Sequence, residues 1–205
     1  MKKFLFCFLI LFSTGTFAQL RLGLKLAPVI VSNRAANEAQ TAANDGSKFK
    51  MSVGLIADKS FADTYMLSTG LIYLPKRTAF QDGDLGVAEE YNIQYLQIPV
   101  SLKLFTNEIA PDTKVYFQVG GALEIKVFDE PLDPSYTLIE SFNPIDIPVI
   151  LGAGVEFRAG LSTTLFGGIS YQRGLTNVIK KVTATTVEDL AMRNTAVSID
   201  LGVKF

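Results

Sequence analysis

Eight charged residues carry the strongest chemical signal in this chain. Five are basic (Arg21, Lys25, Lys50, Lys103 and Lys126) and three are acidic (Glu124, Glu156 and Asp200). Each is flanked on both sides by apolar residues, as Lys25 is by Leu24 and Leu26 and Asp200 by Ile199 and Leu201. In extended chain such residues leave by one face and their neighbours by the other. Gathered inside a barrel, the charges could form a proton or ion path, or a site for a small solute. They could equally be an ion-pair network that fills the interior. Small barrels are filled by their own side chains, and an unpaired charge in a low dielectric is costly. The network is therefore the expected arrangement, with Asp200 paired to Arg21 or Lys25 where the first and last strands meet.

Other chemistries are thin. The chain has no histidine, so a Ser–His nucleophile is excluded. No close pair of carboxylates stands where a carboxylate-only mechanism would need one, and no enzyme is expected. The single cysteine, Cys7, lies in an N-terminal apolar run that is expected to be removed. Without it the chain forms no disulfide and no thiolate metal site. No cofactor is implied, and a formal charge of -1 carries no basic footprint for nucleic acid.

The N-terminus reads as an export signal. Lys2 and Lys3 precede the apolar run Phe4–Phe12, and Thr16-Phe17-Ala18 offers small residues where a signal peptidase cuts. Nine apolar residues fall well short of the roughly 20 that a spanning helix needs. Residues 1–18 are expected to be a cleaved signal peptide and 19–205 one barrel domain. Loss of Lys2 and Lys3 moves the formal charge from -1 to -3.

The mean hydropathy is positive, at +0.28, yet no later apolar run is long enough for a membrane helix. A closed barrel resolves that conflict, because its strands satisfy one another and only alternate side chains meet lipid. Eight alternating segments can be read, over 19–29, 48–57, 65–74, 92–105, 113–128, 147–157, 162–173 and 194–205. The fold class expected is all-β: an eight-stranded antiparallel up-and-down transmembrane β-barrel. Short connections at 58–64, 106–112 and 158–161 should face the periplasm, with long loops outside and both termini periplasmic. Gly23, Gly54, Gly152, Gly154, Gly168 and Gly202 fall on the polar parity, as a cramped interior requires.

Tyr65, Phe117, Phe157 and Phe205 would form one aromatic girdle, and Phe49, Tyr73 and Tyr171 another. Pro99 and Pro148 each call for a bulge or a strand end, and a bulge at Pro99 would exchange the faces beyond it. Asp82, Asp84, Glu89 and Glu90 in one loop, and Asp129, Glu130, Pro131, Asp133 and Pro134 in another, read as solvated loop residues. Loops on a rigid scaffold are the first place to look for recognition. Phe205 ends the last strand, so no second periplasmic domain is expected.

Tyr95-Leu96-Gln97-Ile98-Pro99-Val100-Ser101-Leu102-Lys103 and Leu151-Gly152-Ala153-Gly154-Val155-Glu156-Phe157 resemble hallmarks of the PorT-like family of outer-membrane β-barrel proteins. Tyr171-Gln172-Arg173-Gly174-Leu175-Thr176-Asn177 is similar to that family's Tyr-x-x-Gly-Leu-x-Asn segment. The resemblance implies the outer membrane of a Gram-negative bacterium, contact with its lipid, and possible membership of an envelope or protein-secretion complex. It implies no catalytic residue. The final strand and Phe205 also resemble the signal read by the outer-membrane assembly machinery. A structural or loop-mediated binding role is the expectation; the alternative is a narrow channel for ions or small solutes.

Overall fold

A strand that is apolar on one face and polar on the other is stable in a membrane only as part of a closed ring, where no edge is left unpaired. The computed structural model of the chain describes residues 20–36, 42–43, 48–82, 87–131, 139–182 and 191–205. The expected signal peptide, 1–18, lies outside them. Eight long strands form the ring: β1 (Leu20–Ala36), β2 (Lys48–Ala62), β3 (Tyr65–Asp82), β4 (Val87–Ala110), β5 (Thr113–Pro131), β6 (Pro148–Arg158), β7 (Thr164–Gly174) and β8 (Ala191–Lys204). Each pairs antiparallel with the next, and β8 pairs back to β1.

One row of outward residues can be followed around much of the ring. Val119 faces Leu151, Leu151 faces Tyr171, Tyr171 faces Val197, Val197 faces Ile30 and Ile30 faces Phe49. Every strand exposes apolar side chains, among them Leu22, Leu55, Leu71, Val100, Phe117, Leu151, Ile169 and Leu201. Lipid removes this belt from water at roughly 25 cal/mol per Å² of apolar surface. Tyr65, Phe117, Phe157 and Phe205, and likewise Phe49, Tyr73 and Tyr171, all point outward.

The strands outrun the expected segments. β2 continues to Ala62, so Asp58 lies within a strand and not in a turn. β3 and β4 extend as a hairpin paired out to Asp82 and Val87. Lys76 is therefore a strand residue, as are Asp82, Glu89 and Glu90; Asp84 lies outside the described residues. Asp129, Glu130 and Pro131 complete β5, while Asp133 and Pro134 also lie outside them. Antiparallel ladders propagate beyond the apolar belt because backbone pairing does not need lipid.

Pro99 causes no bulge. Its neighbours keep one register with β3, from Thr69↔Val100 to Ile72↔Gln97, and the Thr69 hydroxyl donates to the Pro99 carbonyl at 2.8 Å. The faces beyond it are unchanged. The register shift falls instead opposite Gln94 and Tyr95, which face Phe128 and Lys126. Val127 is the extra residue, so Val127 and Phe128 are both exposed. Pro148 opens β6, where a missing donor costs least.

At one end the connections are tight: Asp63–Thr64, Pro111–Asp112 and residues 159–163. Asp112 takes the left-handed conformation, with φ 57. Glycine adopts that region without a Cβ penalty. Asp112→Gly should therefore raise stability by about 0.5 kcal/mol, read as a higher unfolding midpoint. A lower midpoint would show that the 3.8 Å contact of Asp112 with Arg158 outweighs the backbone strain.

At the other end the interior changes character. Val29, Val31, Leu74, Ile93 and Met192 are buried there. A two-stranded sheet, Ile139–Phe142 with Ile179–Val182, closes over them. Phe142 meets Tyr91 edge-on at 4.9 Å between ring centroids, and the Val178 amide donates to the Met192 carbonyl at 2.9 Å. This end of the lumen is packed like the core of a soluble protein.

Candidate functional site: an ion-paired lumen

Below the apolar end, the lumen is built from side chains that alternate with the outward belt. Four lysines and four carboxylates are matched there in three groups. Nearest the tight turns, the Lys204 ammonium of β8 lies 2.5 Å from Asp58 of β2 and also binds Glu156 of β6. Lys103 of β4 reaches the same Asp58 oxygen at 2.9 Å, and Ser68 donates to its other oxygen at 2.5 Å. Two cations thus share one carboxylate, and Glu156 balances the charge. Aromatic faces complete their solvation. Lys103 lies 5.3 Å from the Tyr116 ring centroid, and Lys204 lies 5.3 Å from that of Phe166.

The second group lies across the closure of the ring. Lys25 of β1 pairs with Asp200 of β8 at 2.8 Å. Ser198 donates to Asp200 at 2.8 Å and lies 2.6 Å from Ser170. The third group lies toward the apolar end. Lys76 pairs with Glu124 at 2.5 Å, and the Gln97 amide bridges Glu124 at 2.9 Å and Gln172 at 2.7 Å. Lys76 and Glu124 are 2% and 0% exposed, so this pair is insulated from water. Asp146 completes the interior, with no lysine paired to it among the described residues. It accepts from Thr176 at 2.6 Å and Asn194 at 3.1 Å.

Of the residues singled out in the sequence, Lys25, Lys103, Glu124, Glu156 and Asp200 belong to these groups. Lys25, not Arg21, holds Asp200. Arg21 stands at the mouth beside the tight turns and makes no ion pair among the described residues. Lys50 donates to Asn92 at 3.2 Å, and Lys126 pairs with Asp129 at 2.7 Å. Both lie apart from the central network. Asp58, Lys76, Gln97 and Lys204 complete the network without having been singled out. Asp58 and Lys204 continue the polar parity of their strands, which is the signal that marks them. Lys76 follows inward Ile72 and Leu74, so parity places it inside, but its neighbours there give no polar pattern.

Tyr116 fills the centre. Gly154 and Gly168 face each other across β6 and β7. A Cβ added to either would lie 2.5 or 2.7 Å from the Tyr116 hydroxyl. The two glycines therefore seat the ring. The cavity that remains between Lys25, Lys103, Tyr116 and Asp200 holds about 30 Å³, room for about one water.

An apolar outer belt, closed antiparallel pairing and a charge-filled interior define the class: a small transmembrane β-barrel. The outer membrane protein beta-barrel domain matches residues 17–180. The chain belongs to that family and is a protein of the Gram-negative outer membrane, embedded in its lipid. Solved barrels share the fold. Neisserial surface protein A is 17% identical, with 91% of this chain and 97% of that chain covered and a TM-score of 0.50. AlkL, solved in DMPC lipid bilayers, is 14% identical, with 91% and 89% covered and a TM-score of 0.50. Ail, the attachment invasion locus protein of Yersinia pestis, is 10% identical, with 91% and 99% covered and a TM-score of 0.44. No curated protein matches the chain in sequence.

Proposed function

We propose that this barrel is a non-conducting, non-enzymatic scaffold that displays its long connections to a partner outside the cell, with both termini and the tight turns in the periplasm. The observation that carries the reading is the lumen. Three ion-paired groups and the Tyr116 ring occupy it in succession, and the apolar end is capped by a separate small sheet. A channel would need those pairs parted, and each buried charge so released costs several kcal/mol. The resemblance of the Tyr95–Lys103, Leu151–Phe157 and Tyr171–Asn177 segments to PorT-like proteins supports an accessory place in a protein-secretion or envelope complex.

Purified protein in planar bilayers should leave the baseline current unchanged. Discrete conductance steps would replace this reading with the narrow channel. Mild-detergent purification from native outer membrane should recover a stoichiometric envelope partner, and its absence would count against the accessory role.

Phe205 is 60% exposed, and its amide donates to the Leu22 carbonyl at 2.8 Å. That exposure supports a role in anchoring the strand at the interface and in the signal read during assembly. Phe205→Ala should lower the fraction of chains reaching the heat-modifiable folded form. An unchanged fraction would remove Phe205 from the assembly signal.

A further inference from the structure

Arg21, like Lys50 and Lys126, stands outside the lumen network, but unlike them it borders an open cavity at the turn end. Two adjoining cavities open at the turn end of the barrel, of about 230 Å³ and about 220 Å³, and they share Arg21, Arg158 and Thr164. The first also takes in Glu108, Asp112 and Glu156, so it is mixed in charge. The second is different. Its remaining members are Ser162 and the apolar Leu20, Leu161 and Phe205; the two guanidinium groups there outnumber one anionic group, the terminal carboxylate of Phe205. Arg158 is about half exposed, and its ion pair with Asp112 is loose, at 3.8 Å. Two guanidinium groups thus border one cavity, one without an ion pair and one barely held.

Two apolar members of the cavity are among the most exposed of the described residues, Leu161 at 108% and Phe205 at 60%, while Leu20 is 38% exposed. Leu20 and Phe205 belong to the outward belt, whereas Arg21 and Thr164 have the inward parity. The cavity therefore straddles the rim, with hydrocarbon on one side and a polar mouth on the other.

We infer that this rim cavity binds the phosphodiester headgroup of a phospholipid from the leaflet that the tight turns face. Arg21 and Arg158 supply planar donors suited to two phosphate oxygens. Ser162 and Thr164 add hydroxyl donors, and the acyl chains continue along Leu20, Leu161 and Phe205. Charge complementarity favours an anionic lipid, and the apolar wall distinguishes a lipid from free phosphate. The cavity depends on the barrel being embedded, and a phospholipid as its occupant rests on the proposed periplasmic placement of the turns, where the leaflet of this membrane is phospholipid.

The test is native mass spectrometry of the full folded chain in uncharged detergent, titrated with phosphatidylglycerol and with diacylglycerol. One or a few phosphatidylglycerol molecules should survive gentle activation, while diacylglycerol should be lost. Arg21→Gln with Arg158→Gln should weaken retention about tenfold or more, since two charge-assisted contacts are removed. Arg158→Gln alone, at an exposed turn-end position, keeps the test valid if the double variant assembles poorly; it should weaken retention severalfold. Equal retention by the variants would overturn the site, as would equal retention of diacylglycerol. Complete displacement by millimolar inorganic phosphate would overturn the lipid in favour of a free anion. A separate measurement reads the orientation. Leu161→Cys, in a chain whose only cysteine precedes Ala18, should resist an impermeant maleimide in intact cells. Labelling there would overturn the periplasmic placement of the turns, and with it the phospholipid as occupant in the cell, without touching the retention measured in detergent.

Discussion

Asp58→Asn is expected to destabilise the barrel by about 3 kcal/mol, because it leaves two buried ammonium groups to share one carboxylate. Lys103 and Lys204 both reach Asp58, at 2.9 and 2.5 Å, and only Glu156 would remain to balance them. The substitution hardly changes volume, so the loss measures charge and not packing. A second substitution makes the argument testable. Lys103→Met in the same chain removes the surplus cation and leaves the Lys204–Glu156 pair neutral. The double variant should recover most of the lost stability, since buried ion pairs can be exchanged for apolar side chains at little net cost. Urea unfolding of the barrel in lipid vesicles, followed by the gel shift between folded and unfolded forms, reads all three proteins. Equal stability of the single and double variants would show that the charge balance at Asp58 is not what holds this part of the lumen.

The second large effect is steric. Gly154→Leu should prevent most chains from reaching the folded form, and those that do should be weaker by about 3 kcal/mol. A Cβ at this position would lie 2.5 Å from the Gly167 carbonyl oxygen across the ladder and 2.5 Å from the Tyr116 hydroxyl. The first contact is with backbone, so a rotamer change cannot relieve it. Strand β7 would have to move away from β6, or Tyr116 would have to leave the lumen. Gly160→Leu is the matched control. It lies in the connection at 159–163, where an added Cβ meets nothing within 4 Å, and it should fold as the parent does. Normal folding of Gly154→Leu would mean that the lumen can repack around Tyr116.

The outward face was readable because alternation is local. Leu20, Leu22, Leu24 and Leu26 need no partner to declare their side of a strand, and the same holds for Val197, Ile199 and Leu201. The closure also followed from order alone: with eight strands the first meets the last, which is why Asp200 could be matched to the neighbourhood of Lys25. The rest of the network was not local. Lys76 and Glu124 come from β3 and β5, separated by the whole of β4, and only the stagger of the strands brings them together. Asp58 was hidden for another reason. Segments cut at the length needed to cross lipid stop short of strands that the ladder carries further, and such segments place this buried carboxylate in a turn. Pro99 misled in the opposite direction. Its missing donor suggested a bulge, yet the register holds through it.

The final strand brings more to the barrel than its hydrogen bonds. β8 carries Lys204, which answers Asp58 and Glu156, and Asp200, which answers Lys25. A chain cut before β8 would take Lys204 from Glu156 and Asp200 from Lys25, and leave both facing an open, wet groove. Arrival of β8 seals the seam and neutralises that groove in the same event. A slip of two residues that set Lys25 opposite Lys204, in place of its partner Gly202, would keep the apolar face outward yet carry Asp200 away from Lys25. The seam thus works as a clasp that fastens only when the chain is whole and its teeth are aligned. A barrel without β8 would be left hydrated and open, and so distinguishable to whatever inspects it.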